Sequence, residues 1–316
     1  MRISKLLLRL IITGAILYLV YRKVPISDVL ASLKVADPVF LGIACLLVVG
    51  IHFLAAWRLR ILLRQQELIV GYWRLFVIVL ESLFYRAFLP GGSIATLTAR
   101  FLKLQTVTQS RSRTLATLAI DRIFATLSLV GVGIVFALLA RKTLFDPVGS
   151  VLLVMAVLVV LLYIATVHGA AGNLLVGTFR ALRQRRLSEL AERGVQPLTV
   201  FQKMRPGSFF LVVALSVAPH LIGIGVYSLL AAAIGIDIPV LSWGWIRSLV
   251  ILTTMLPISL LGIGVREASV LYLLQTFGVA DEACLALAML IFAVSVLFIA
   301  LLGGLLELGR LIGRRH

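Results

Sequence analysis

The chain has 316 residues, 61% of them hydrophobic and 14% charged, with a mean hydropathy of +1.11. That lies well above the ~45–50% apolar content of soluble domains and excludes an ordinary soluble globular protein. A net charge of +17 would suggest nucleic acid in a soluble chain, but here the charges fall between apolar runs, which excludes that reading in favour of basic loops against anionic lipid. The expected fold class is therefore an all-α polytopic membrane protein in a single membrane domain over 1–316.

The N-terminal MRISK leads into LLLRLIITGAILYLVY, which ends at Tyr21, Arg22 and Lys23 with no small-residue cleavage site. It reads as a first span over 6–21 rather than a signal peptide. Further apolar runs follow at 39–57, 75–89, 114–140, 148–167, 208–234, 246–263 and 283–306, with a shorter helix at 266–278. Cys45 and Cys284 lie inside such runs and read as free thiols. Asp28 and Asp37 are isolated in the first outer loop.

One loop, 168–207, is long and basic: its core 180–205 carries seven basic and two acidic residues. It reads as a cytoplasmic, amphipathic surface helix whose Arg180, Arg183, Arg185 and Arg186 meet anionic head groups, with docking of a partner as the alternative. The same rule places both termini, 58–74 and 100–113 in the cytoplasm. Only one obvious run, 75–89, separates the last two segments, and one crossing cannot return a chain to the side it left. The stretch LPGGSIATLTARFLKL (89–104) must then also travel inside the membrane, giving a hairpin over 75–104. The same parity near the C-terminus makes 246–278 a second hairpin, broken at PISLLGIGVRE (257–267) and entering from the other face. The architecture expected is about six full transmembrane helices plus two oppositely oriented re-entrant hairpins, consistent with an inverted repeat that leaves no visible sequence repeat. Broken helices in opposite halves are the sequence pointer to a transporter site. Ordinary interfacial loops are the alternative.

Charged residues inside membrane segments are costly and mark functional candidates. They are Glu81, Arg86 and Arg100 around the first break, Asp121 and Arg122 within 114–140, and Arg266 and Glu267 after the second break. An arginine donates two parallel hydrogen bonds to phosphate oxygens, and Pro90, Gly91, Gly92, Pro257, Ser259, Gly262 and Gly264 free the backbone to approach the same anion. Together they suggest a pocket for an anionic head group, that of an anionic phospholipid or of a polyprenyl-linked lipid, with the aliphatic tail left in the bilayer. Each has a structural alternative: Asp121 and Arg122 as intramembrane ion-pair partners, Arg266 and Glu267 as a self-compensating pair, Arg100 as a cytoplasmic anchor, Glu81 as a satisfied buried group. Trp57 and Arg58 read as an aromatic belt residue beside an anchoring cation. His52, His168, His220 and His316 are scattered, so no metal site is expected. No phosphate-binding loop, zinc-site or nucleophile-elbow motif occurs, and a Ser93–His220 pair lacks the rest of a catalytic arrangement, so neither an enzyme nor a cofactor is expected.

Trp57-Arg58, LPGG (89–92) with Arg100, Asp121-Arg122 and PISLLGIGVREA (257–268) resemble the transmembrane region of lysylphosphatidylglycerol synthases, a module also found alone as a flippase-like domain of bacterial inner-membrane proteins. The resemblance spans roughly 5–310, and Pro257 through Glu267 is its most specific piece. It implies lipid transfer across the inner membrane, or support of a lipid-biosynthesis enzyme there, by a stand-alone module without the aminoacyl-transferase domain. Family members commonly carry a small and an acidic residue before the first arginine. Here Ile94, Ala95 and Thr96 occupy that stretch, so no role of that acid carries over.

Overall fold

The structure, a computed structural model, describes residues 13–14, 17–18, 22, 24–88, 93–141, 147–167, 198, 200–255 and 259–313, and among these it is entirely helical. In chain order the helices are α1 (Ile26–Lys34), α2 (Pro38–Gln65), α3 (Tyr72–Phe88), α4 (Ser93–Thr108), α5 (Arg111–Leu139), α6 (Pro147–Val167), α7 (Pro206–Ala232), α8 (Val240–Met255), α9 (Val265–Gln275) and α10 (Asp281–Phe292). A π-helical turn, Ala293–Phe298, carries α10 without a break into α11 (Ile299–Gly313). Four of these stretches are long and apolar enough to cross a membrane: α2, α5, α7 and Asp281–Arg310. At 27 to 30 residues they reach ~40 Å or more, against a hydrocarbon core of ~30 Å.

The long helices start where the sequence supplies a start. Asp37 accepts the Val39 N–H at 2.8 Å, and Pro38 occupies the first turn, where its missing N–H costs nothing. Pro206 does the same for α7. Exposed Val and Leu side chains of α6, such as Val154 and Leu158, give that helix the all-round apolar surface suited to lipid.

Helices α2–α5 and α7–α11 repeat one plan, a long helix, two shorter ones and a long one. The lengths are 28, 17, 16 and 29 residues in the first half and 27, 16, 11 and 30 in the second. The interval between halves is 168 residues, from 38 to 206 for the first helix and from 72 to 240 for the second. His52 and His220 stand at the same interval, midway along α2 and α7.

The halves are inverted. The N–H of Asp37, at the start of α2, donates to the carbonyl of Ala233 at the end of α7 at 3.0 Å. Further along, an Arg58 Nη1–H on α2 donates to Ser216 Oγ on α7 at 3.3 Å, so the two helices run antiparallel. The second contact type repeats with the same inversion. Helix α3 crosses α11 at Gly303, where an added Cβ would strike the Leu80 carbonyl, and α8 crosses α5 at Gly133, where it would meet Ser248 at 2.8 Å. Leu80 and Ser248 are again 168 residues apart. In lipid, close packing of this kind at small residues replaces the hydrophobic drive that holds soluble helices together.

Helix pairs occupy the two stretches expected as hairpins, α3 and α4 over 72–108 and α8 and α9 over 240–275. The first break, with Pro90, Gly91 and Gly92, and Pro257 of the second lie outside the described residues, as do residues 168–197 with Arg180, Arg183, Arg185 and Arg186. The rest of the second break, Ser259–Gly264, is a tight loop with Leu261, Gly262 and Gly264 in the left-handed region. Thr13, in the expected first span, accepts the Leu260 N–H there at 3.1 Å.

A re-entrant course for both hairpins predicts which face reaches each hairpin's base. In a chain with Cys45 and Cys284 replaced, single cysteines at the exposed positions Ile69 and Gln109 are expected to react with an impermeant thiol reagent from one face of intact vesicles. A cysteine at exposed Gly278 should react from the opposite face. Labelling of 69 and 109 from different faces would make the first hairpin a pair of spans.

Candidate functional site

The ends of α3 and α8, the start of α9 and the middles of the long helices surround a cavity of about 190 Å³. Its walls are Val48, Ile51 and His52 from α2, Gly223, Val226 and Tyr227 from α7, Ile251, Thr254 and Met255 from α8, and Ile291, Ser295 and Val296 at the π-turn. Four arginines complete it: Arg86 near the end of α3, Arg122 on α5, Arg247 on α8 and Arg266 on the second residue of α9. Among the described residues the lining contains no carboxylate. A site of this volume exceeds the ~30 Å³ share of one water several-fold and suits a compact polar group.

Each arginine is placed by its neighbours. Gly223 lets the Arg247 guanidinium lie directly on α7, since a Cβ there would collide with it. An Arg247 Nη1–H donates to His220 Nδ1 at 3.3 Å. Arginine can only donate, so Nδ1 must accept, and Nε2–H donates to the Ala125 carbonyl at 3.0 Å. The neutral imidazole thus ties Arg247 to α5. Arg266 donates from Nη2 to the Leu261 carbonyl at 3.1 Å, and its guanidinium lies 5.0 Å from the centre of the Phe292 ring. Gly262, at φ 74, tucks the break against α8, where a Cβ would meet Thr254 at 2.9 Å. Two guanidinium nitrogens, Nε of Arg247 and Nη1 of Arg266, are buried without a hydrogen-bond partner among the described residues. The N-terminus of α9, at Arg266, adds its own positive potential.

Of the residues singled out from sequence, Arg86, Arg122 and Arg266 meet in this cavity, and Gly262 shapes its wall. The acids do not line it. Asp121 pairs with Arg58 Nε at 2.7 Å, a buried bond that also brings in Ser216, so Arg58 is a core cation rather than a belt anchor. Glu267 accepts the Gly264 N–H at 2.6 Å and thereby caps α9. Glu81 is fully buried in a second cluster, 2.8 Å from Lys103 and 3.1 Å from Arg310. Lys103 also pairs with Glu307, which accepts from Tyr85 at 3.2 Å. That cluster, two cations and two carboxylates, fastens α3 and α4 to α11. Arg100 donates to Ser82 at 3.2 Å between α3 and α4, outside the cavity lining, and Ser259 is buried with no partner for its hydroxyl among the described residues.

Sequence reading passed over Arg247, His52 and His220. Arg247 sits in the run SWGWIRSLV, where one cation beside two tryptophans looks interfacial. Here Trp243 and Trp245 are fully buried, so the belt signal was misleading. The 168-residue interval between the two histidines was the signal that could have found them.

Among known families, the one described as Lysylphosphatidylglycerol synthase TM region matches residues 6–303. No curated protein matches the chain.

The Asp121–Arg58 pair should dominate stability. Arg58→Met, which leaves a buried carboxylate unpaired, is expected to cost about 3–5 kcal/mol in detergent-solubilised protein, seen as a lowered unfolding temperature. Arg58→Met combined with Asp121→Leu should recover most of it; a double variant as unstable as the single one would show that the pair is not the relevant contact.

Proposed function

The chain belongs to the lysylphosphatidylglycerol synthase transmembrane-region family, and from that premise we propose that it is a lipid transporter of the bacterial inner membrane, not an enzyme, that admits an anionic head group to the central cavity. The observation that carries this is the meeting of Arg86, Arg122, Arg247 and Arg266 around one cavity, with no carboxylate in the lining among the described residues. An unpaired cation there is expensive unless a ligand supplies the counter-charge. Phosphate is the group that membranes supply in quantity, and a guanidinium fork matches its oxygens.

The inverted arrangement supports movement across the bilayer. Helix α2 runs antiparallel to α7, so the two halves enter the cavity from opposite directions. Movement of the α3–α4–α11 body against the α5–α8 pair about the α2–α7 contact would open the cavity to either side in turn, the alternating access that inverted repeats permit. The acyl chains remain in lipid while the head group crosses among arginines. Helix α3, fastened to α11 through Glu81, Lys103, Glu307 and Arg310, would move with α11 as one body. The termini lie on the cytoplasmic side in this reading.

A competing reading is a non-transporting scaffold that holds a lipid-biosynthesis enzyme through the basic stretch at 180–205. The two separate in vesicles carrying fluorescent phospholipids. Purified protein is expected to accelerate lipid crossing over protein-free vesicles. Arg266→Gln and Arg247→Gln should each lower the rate about 10–100-fold, the worth of one charge-assisted hydrogen bond at about 1.5–3 kcal/mol. Charge reversal at Arg183, Arg185 and Arg186 should leave it unchanged. No acceleration with any lipid class would remove the transport reading and leave the scaffold.

A further inference from the structure

Resting on that reading, we propose that the site selects a head group bearing at least two negative charges, a terminal phosphomonoester or diphosphate, over the singly charged phosphodiester of ordinary phospholipids. The reason is the surplus of charge around the cavity. Four guanidiniums line it. The nearest acids in sequence, Asp121 and Glu267, are already engaged, the first with Arg58 at 2.7 Å and the second with the Gly264 N–H at 2.6 Å. Counting Arg58 with the four and subtracting both acids still leaves a surplus of three positive charges. The Glu81 cluster does not change this, because its two carboxylates are matched by Lys103 and Arg310. His220 adds no charge as the neutral imidazole that its bonds to Arg247 and Ala125 require.

A phosphodiester brings one negative charge and leaves most of that surplus uncompensated in a low-dielectric interior. A phosphomonoester brings about −1.5 to −2 at pH 7, and a third terminal oxygen able to accept. Two of the lining residues also carry donors that the protein itself does not use: Nε of Arg247 and Nη1 of Arg266 are buried and lack a partner among the described residues. Both side chains are less than a tenth exposed, at 8% and 3%. The cavity volume of about 190 Å³ leaves room for a phosphate or diphosphate. The terminal phosphate can belong to a lipid or to a free anion, and the same cavity would recognise either.

The test uses full-length protein in phosphatidylcholine nanodiscs doped with chain-matched phosphatidic acid or phosphatidylglycerol, with binding read from lipid co-purification. Phosphatidic acid is expected to be retained about tenfold more strongly than phosphatidylglycerol, a separation of one decade in affinity. Arg122→Gln should shrink that ratio toward one, with monodispersity on gel filtration showing that the variant is folded; Arg86→Gln gives an independent second variant. Inorganic pyrophosphate added in the aqueous phase should displace phosphatidic acid only at far higher concentration than the lipid itself. Equal retention of phosphatidic acid and phosphatidylglycerol over phosphatidylcholine would overturn the selectivity while leaving the anionic-lipid reading standing. Retention of neither would overturn both. Tight binding of free pyrophosphate, matching the lipid, would overturn the lipid source.

Discussion

A guanidinium in the middle of an apolar protein is among the most expensive groups a membrane fold can hold. This structure holds four around one cavity, and the architecture can be understood as the means of keeping them there. Arg247 needs Gly223 to lie on α7 and His220 to receive its proton; Arg266 needs the left-handed loop at Leu261–Gly264 to place a carbonyl under it. The aromatic ring of Phe292 supplies the remaining contact, just before the π-turn whose Ser295 and Val296 join the wall. Widened turns of this kind occur often at functional sites, where they redirect side chains without ending the helix.

The carboxylates are spent elsewhere. Asp121 neutralises Arg58 in the core, Glu267 caps α9, and Glu81 with Glu307 binds the first hairpin to α11. Every acid close to the cavity in sequence therefore has a partner that is not a cavity arginine. That division, acids for structure and arginines for the cavity, gives the site its sign.

Inverted repetition explains why the cavity is central. The α2–α7 pair is antiparallel, and its register, Asp37 opposite Ala233 and Arg58 opposite Ser216, brings the two helix midpoints level. The two glycine crossings, α3 on α11 and α8 on α5, hold the helices whose ends, at Arg86 and Met255, reach the cavity. Divergence has erased the repeat as letters but kept it as lengths and intervals. A helix that must be apolar on every side can exchange Leu, Val, Ile and Ala freely, so residue identity carries little of its history.

Much of this was legible in the chain. Hydropathy and the positive-inside rule gave the spans, parity gave two hairpins, and the cost of buried charge singled out Arg86, Arg122 and Arg266. Asp121 and Arg122 show the limit of such reading. As neighbours they look like one functional unit, yet they lie about 100° apart around the helix, so one faces Arg58 and the other the cavity. Arg247 shows it again, since burial of Trp243 and Trp245 depends on contacts with α5 and α9 that no local pattern records. The sequence by itself determined that this is a helical membrane protein with arginines inside its apolar segments, because lipid imposes apolarity and backbone satisfaction segment by segment. Only the tertiary structure decided which charges cancel and which converge, because pairing at 2.7 Å is set by helix rotation and antiparallel packing between residues as distant as Arg58 and Asp121.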